Sequence, residues 1–238
     1  MGTRCINGYG GAVVNVARWV DSTVRRRSAK ELLASDSRRA QIVSAAVEAI
    51  DEVGPQVGMA YIADRAGLPR PNVYRHFAGK DQLDAEVTRF AATELIRRVR
   101  PHLTRAGTPF EVIRGVVAAS IAWASEHPNL YRFIAAQQQT KALHRARMGR
   151  TRFLNEIVEA MRTYLDAAEL PASPPDGVLA GLMGMVDASI IWWLDHHDET
   201  KDQLADRVSR QIAVVLIEML AQLGIDIPDD QVFRPSKP

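Results

Sequence analysis

The sequence predicts an all-α protein, a three-helix unit near the amino terminus followed by a larger helical body. Three observations predict it. Apolar residues recur at i, i+3, i+4 and i+7 in one segment after another, and no strand-period segment competes. Glycine and proline punctuate those segments at Gly54-Pro55, Gly67, Pro101, Pro128 and Pro171 to Pro175. Between 59 and 80 lies a pair of short helices around a glycine turn. At 238 residues, 47% hydrophobic and 24% charged, the chain can bury a substantial core.

Residues 1–36 read apart from the rest, as an amino-terminal extension. Val13, Val16, Ala17, Val20 and Val24 have helical spacing, Arg25 to Arg27 form a basic cluster, and Ser28 to Glu31 match a capping box. A mobile extension and a basic arm lying on phosphate are both open readings. Residues 37–53 predict an amphipathic helix through Ile42, Ala46, Ile50 and Val53, ended by Gly54-Pro55.

The next stretch, MAYIADRAGLPRPNVYRHFAGK, carries the most information. Ile62, Ala63 and Ala66 give the first short helix an apolar stripe. Gly67 stands where a left-handed residue is wanted, having no Cβ to clash. Leu68 plugs the corner, and Pro69 and Pro71 bracket the start of the second helix, where missing N–H groups cost nothing. Val73 and Phe77 turn inward. Arg70, Asn72, Tyr74, Arg75 and His76 are left outside. A helix pair with a glycine turn and a cationic second helix is a helix-turn-helix, whose second helix enters the DNA major groove.

These residues, with Gly79-Lys80 and the apolar helix after them, resemble the amino-terminal domain of the tetracycline-repressor (TetR) family of transcriptional regulators. The run Tyr74-Arg75-His76-Phe77 is its most specific part, and the likeness covers roughly 37–90 at motif level. Two positions depart from the family pattern. Gly58 and Pro69 stand where Ser or Thr caps the two short helices, and Pro69 offers no side-chain acceptor. For base edges the candidates are Arg70, Asn72 and Arg75, since Arg reads guanine and Asn adenine; Pro71 lies among them. By resemblance Tyr74, His76 and Lys80 meet phosphate, and Tyr61 on the supporting helix joins the same surface.

From 81 onward a long helix carries Leu83, Val87, Phe90, Ala91, Leu95 and Val99, capped by Asp81 and ending near Pro101. It joins the unit at 37–84 to a body at 85–226, leaving 227–238 as a tail. In the body, helices are expected over 110–124, 130–139, 141–168, 177–195 and 200–223. In the last of these, Leu204, Val208, Ile212, Val215, Met219 and Leu223 form a stripe widened by Ala213, Leu216 and Leu220, broad enough for two neighbours. Gly177, Gly181, Gly184 and Ala188 line one side of the helix before it. Helices 177–195 and 200–223 are therefore the expected homodimer surface, and the resemblance implies a four-helix bundle there.

Large apolar side chains, Trp123, Phe133, Met148, Phe153, Met161, Met183 and Trp192, are the candidates for a ligand pocket, with ordinary core packing as the alternative. The resemblance implies an inducer or corepressor there, a lipid or an acyl-coenzyme A among the possibilities. The basic run from Lys141 to Arg152 is spread around its helix and reads as solvated surface, or else as a portal for an anionic head group.

Charge is divided: residues 1–104 carry +5 and residues 105–238 carry −3, which suits a DNA-facing head on a body that repels phosphate. With Cys5 alone, no internal disulfide can form. No apolar run is expected to approach the ~20 residues that span a bilayer, and no signal-peptide core is seen, so a cytoplasmic protein without membrane contact is expected. No glycine-rich phosphate loop or Glu-x-x-His repeat occurs, and Asp195 to Asp198 read as a polar loop, so no enzyme, cofactor or metal is expected. Two functions compete: a homodimeric, ligand-responsive regulator, in the repressor form released from a palindromic operator by a hydrophobic molecule, and a helical small-molecule-binding protein with little sequence-specific DNA binding.

Overall fold

The computed structural model describes residues 36–145, 152–167, 175–222, 224–228, 231, 232 and 234, and only the backbone of 137–145, 152–153 and 165–167. The expectations for residues 1–35, for Met148 and for most of the basic run lie outside the described residues. Nine helices and no strands occur among the described residues: α1 (36–53), α2 (Met59–Arg65), α3 (Arg70–His76), α4 (Lys80–Leu103), α5 (Pro109–Glu126), α6 (Pro128–Arg145), α7 (Arg152–Ala167), α8 (Asp176–His196) and α9 (Lys201–Gln222).

Helices α1 to α3 close over Ile42, Ile50, Ile62, Val73 and Phe77, all fully enclosed. Their core runs on without a break through Leu83, Val87 and Val99 of α4 into the body. There α5 is central, packed against α4, α6, α8 and α9. It starts on a capping box: the Thr108 side chain accepts from the Glu111 N–H at 3.2 Å, and the Glu111 carboxylate accepts from the Thr108 N–H at 2.8 Å. Arg114 ties α5 to α9 through Asp206 at 2.5 Å, and Arg132 ties α6 to Asp195 of α8 at 2.7 Å.

Three expectations are corrected. The helix expected over 130–139 runs on to Arg145, because nothing between 139 and 145 breaks a helix, and of the one expected over 141–168 the later described part is α7, Arg152–Ala167. Asp81 lies inside α4, whose cap position is Gly79; the Ala78 N–H donates instead to Gln82 Oε1 at 2.7 Å. Pro101 sits within the last turn of α4, which ends at Leu103, near the expected place. Finally, α8 is 21 residues long with a mean hydropathy of 1.6 over an 18-residue window, enough by length and composition to cross a membrane. Only 22% of that window is buried in the protomer. Asp187 interrupts the apolar run of 177–194 and hides its length in the bare sequence.

Candidate DNA interface and body cavity

The turn between α2 and α3 is built as its residues require. Gly67 has φ +64°, and the Leu68 and Gly67 N–H groups donate to the Ala63 and Asp64 carbonyls, both at 3.0 Å. This double closure stops α2 and leaves Gly67 in the one conformation that suits glycine. Two residues of α1 that the sequence alone did not single out hold the pair in place. Gln41 Nε2 donates to the Ala66 carbonyl at 2.9 Å. Arg39 donates to the His76 carbonyl, reaches Glu86 at 3.4 Å, and lies over the Phe77 ring at 4.4 Å. A cation at the end of α3 also suits the negative end of its helix dipole. The signal was present as an arginine one turn before the apolar stripe, but only the fold reveals what it faces.

On α3, Val73 is the sole buried residue of the helix. Arg70, Pro71, Tyr74 and Arg75 are exposed, with Asn72 and His76 half-buried beside them. The exposed groups are loosely ordered among themselves: Arg70 reaches the Tyr74 hydroxyl at 3.3 Å, and Arg75 reaches Asn72 Oδ1 at 3.4 Å. Tyr61 on α2 is 41% exposed, as is Tyr74. Neither Gly58 nor Pro69 makes a side-chain cap. Lys80 differs from its companions. Its ammonium pairs with Asp84, which is nearly buried, and lies 5.7 Å from the Phe133 ring of the body.

Head and body meet at a second polar contact. His127 Nδ1 lies 2.6 Å from Asp51 Oδ2 in the last turn of α1, and Asn129 Nδ2 donates to the Asp51 carbonyl at 2.9 Å. His127 in turn touches the Trp123 ring (5.6 Å between centroids), and Trp123 touches Tyr131 (6.0 Å). Tyr131 stands at the wall of a cavity of about 240 Å³.

This cavity follows α5 from Pro109 to Ser120, roughly 16 Å at 1.5 Å per residue. Its wall is apolar apart from Ser120, Tyr131, Tyr164 and Asp187. The Tyr131 hydroxyl donates to Asp187 Oδ1 at 2.7 Å. Burial raises the tyrosine hydroxyl well above its usual pKa, and the neighbouring carboxylate raises it further. Burial also raises the Asp187 carboxyl, with the hydrogen bond from Tyr131 pulling the other way.

Of the seven residues expected at a ligand pocket, Met161 and Met183 line this cavity. Trp123 is buried but spends its surface on His127 and Tyr131, and Phe133 faces Lys80. Trp192 is 55% exposed, stacked on His196 at 3.7 Å and donating to Asp198 at 2.9 Å. Met148 is outside the described residues, and of Phe153 only the place in α7 is described. Ile227, expected in the tail, reaches the wall. Asp195 and His196, expected in a loop, form the last turn of α8.

Fold and surface together define a helix-turn-helix protein carrying a hollow helical body. Residues 42–87 match the family described as bacterial regulatory proteins, tetR family, which places this amino-terminal domain in that family. It is 31% identical over 100 residues to an uncharacterised HTH-type transcriptional regulator of Mycobacterium tuberculosis, covering 42% of this chain and 43% of the relative. It is 33% identical over 103 residues to the HTH-type transcriptional activator FasR of Mycolicibacterium smegmatis, covering 43% of this chain and 47% of the relative. The matches thus span less than half the length of these relatives. Among solved structures, a TetR-family regulator from Streptomyces coelicolor superposes with a TM-score of 0.61 at 20% identity, over 79% of this chain and 83% of that one. The FadR regulator from Bacillus subtilis in complex with stearoyl-CoA gives 0.55 at 18% identity, over 73% and 96%. At those identities the likeness concerns the fold.

Proposed function

We propose that the chain is a homodimeric repressor that reads a palindromic operator through α3 and lets go when an apolar molecule fills the body. The observation that carries the DNA part is the face of α3: one buried valine, with Arg70, Asn72, Tyr74 and Arg75 turned outward. Arg70, Asn72 and Arg75 read base edges in this scheme, Pro71 packs beside them, and Tyr61, Tyr74 and His76 take phosphate. Lys80 takes phosphate with the N–H groups that its bond to Asp84 leaves over, while that bond holds the ammonium near the body.

The head is the unit at 37–84 and the body that at 85–226. Dimerisation is supported by what α8 and α9 leave uncovered. A Cβ placed at Gly177, Gly181 or Gly184 would meet nothing within 4 Å, and Trp192, Val214 and Val215 are exposed large apolar side chains. A second copy across this face would set two α3 helices about one DNA turn (~34 Å) apart. A ligand acts by binding one spacing of the heads better than the other. The contacts Tyr131–Trp123–His127–Asp51 offer a physical connection from the cavity wall to α1.

The test is binding of purified protein to the DNA upstream of its own gene across a salt series, for wild type and for Arg70→Ala/Asn72→Ala and Tyr74→Ala. Each lost bidentate base contact should cost about 1–3 kcal/mol of discrimination, and Tyr74→Ala should weaken all sequences alike. Binding equal to that of random DNA, unmoved by every variant in a genome-wide fragment selection as well, would leave the small-molecule-binding alternative. Sedimentation of the free protein as a monomer would reject the dimer.

A further inference from the structure

Resting on the reading of the cavity as the effector site, we infer that its guest is an elongated apolar amine, held by its protonated nitrogen against Asp187 and Tyr131. The cavity has two unlike ends. One, formed by Leu103, Gly107 and Pro109, is apolar apart from Tyr164, whose hydroxyl is already given to the Arg105 carbonyl at 2.6 Å. At the other, some 16 Å along α5, stand Ser120, Tyr131 and Asp187. The Ser120 hydroxyl is spent on the Val116 carbonyl at 2.9 Å. Tyr131 occupies one oxygen of Asp187, and among the described residues no hydrogen bond is made to the second.

No lysine, arginine or histidine is among the described residues of the wall. Among the described residues Asp187 is thus the one carboxyl of an apolar wall that offers it no cation. A buried carboxylate without a counter-charge is costly, and a guest that brings the counter-charge removes that cost. A fatty-acid carboxylate at this end would add like charge to like in a low-dielectric space. An acyl chain entering tail first would set its terminal methyl against an acceptor that then goes unsatisfied. An alcohol satisfies the acceptor without matching the charge. The chamber therefore ranks amine above alcohol above acid for one chain length.

Calorimetric titration at neutral pH, below the concentration at which the probes aggregate, tests this with dodecylamine, dodecanol and dodecanoic acid. Wild type should bind the amine at least tenfold more tightly than the acid, with the alcohol between. Asp187→Asn should lose at least tenfold for the amine and gain for the acid, with an unchanged helical circular dichroism spectrum. Val116→Trp, which plugs the middle of the chamber, should abolish binding of all three. If the acid binds as well as the amine, the inference fails while the effector site stands. It fails in the same way if Asp187→Asn leaves the amine unaffected. Amine binding that survives Val116→Trp is adsorption elsewhere and also overturns it. If none of the three probes binds, the cavity is not an apolar effector site and both readings fall.

Discussion

Between α1 and α3, Ile42, Ile50, Ile62, Val73 and Phe77 have no accessible surface, whereas on α5 Val112, Ile113 and Val116 are only partly covered and border the cavity. The two regions are made of the same residue types and share one continuous core. They differ in closure. In the head, the apolar side chains that face inward are fully enclosed, and what is left outside is mostly polar, with Val53, Tyr61 and Tyr74 the large exceptions. In the body, the apolar faces of the long helices are wider than the protomer covers. The surplus goes to a chamber within and to a bare face outside, on α8 and α9. A close-packed unit holds one arrangement, while a unit with empty space can be repacked by whatever enters it.

The severest way to break this comparison is to hollow the head. Phe77→Ala should cost about 3–5 kcal/mol, because a large enclosed ring is lost and Arg39 loses the surface it lies over. Chemical denaturation followed by circular dichroism should show the loss, together with the end of DNA binding. A cost below about 1 kcal/mol would mean that the head tolerates cavities as the body does.

A milder disturbance sharpens the other side. Tyr131→Phe keeps the ring contact with Trp123 but removes the hydroxyl that donates to Asp187. Leaving that acceptor unsatisfied should lower stability by about 1–3 kcal/mol, less than Phe77→Ala. Without the hydrogen bond that pulls it down, the Asp187 carboxyl should titrate higher still, which carbon-13 NMR of the labelled aspartate can follow.

Much of this is legible in the sequence, and unevenly so. The glycine turn at Gly67, the inward Val73 and Phe77, and the outward polar set on α3 follow from local rules, because every constraint lies within some twenty residues. The cavity does not follow. Size alone puts Trp123 and Trp192 there, yet size does not say which side of a helix meets which neighbour. Trp123 goes to the rings of His127 and Tyr131, and Trp192 to the surface. Asp187 does not stand out as a site residue in the sequence, because a lone acid in an apolar helix has no motif; only its pairing with Tyr131, 56 positions away in the chain, makes it conspicuous. Gln41 and Arg39 are hidden for the same reason, since the carbonyls they serve belong to the following helices.

The smallest effect concerns a place where the closed head falls short of its own standard. Pro69 occupies the cap position of α3 with φ −55° and ψ 135°, and no side chain accepts from the first turn. Pro71 already removes one of the N–H groups there, but Asn72 N–H is bound only to the Pro69 carbonyl, at 2.8 Å. Serine at 69 keeps that backbone bond available and adds a hydroxyl within reach of the same turn. The gain should be about 0.5–1 kcal/mol, reduced by the greater freedom serine gives the unfolded chain. Since α3 is only seven residues long, a firmer start should also tighten the presentation of Arg70 and Asn72. Pro69→Ser should therefore raise the melting temperature slightly and strengthen operator binding more than binding to random DNA. Equal strengthening of both would mean that the proline had weakened only the helix and not its aim.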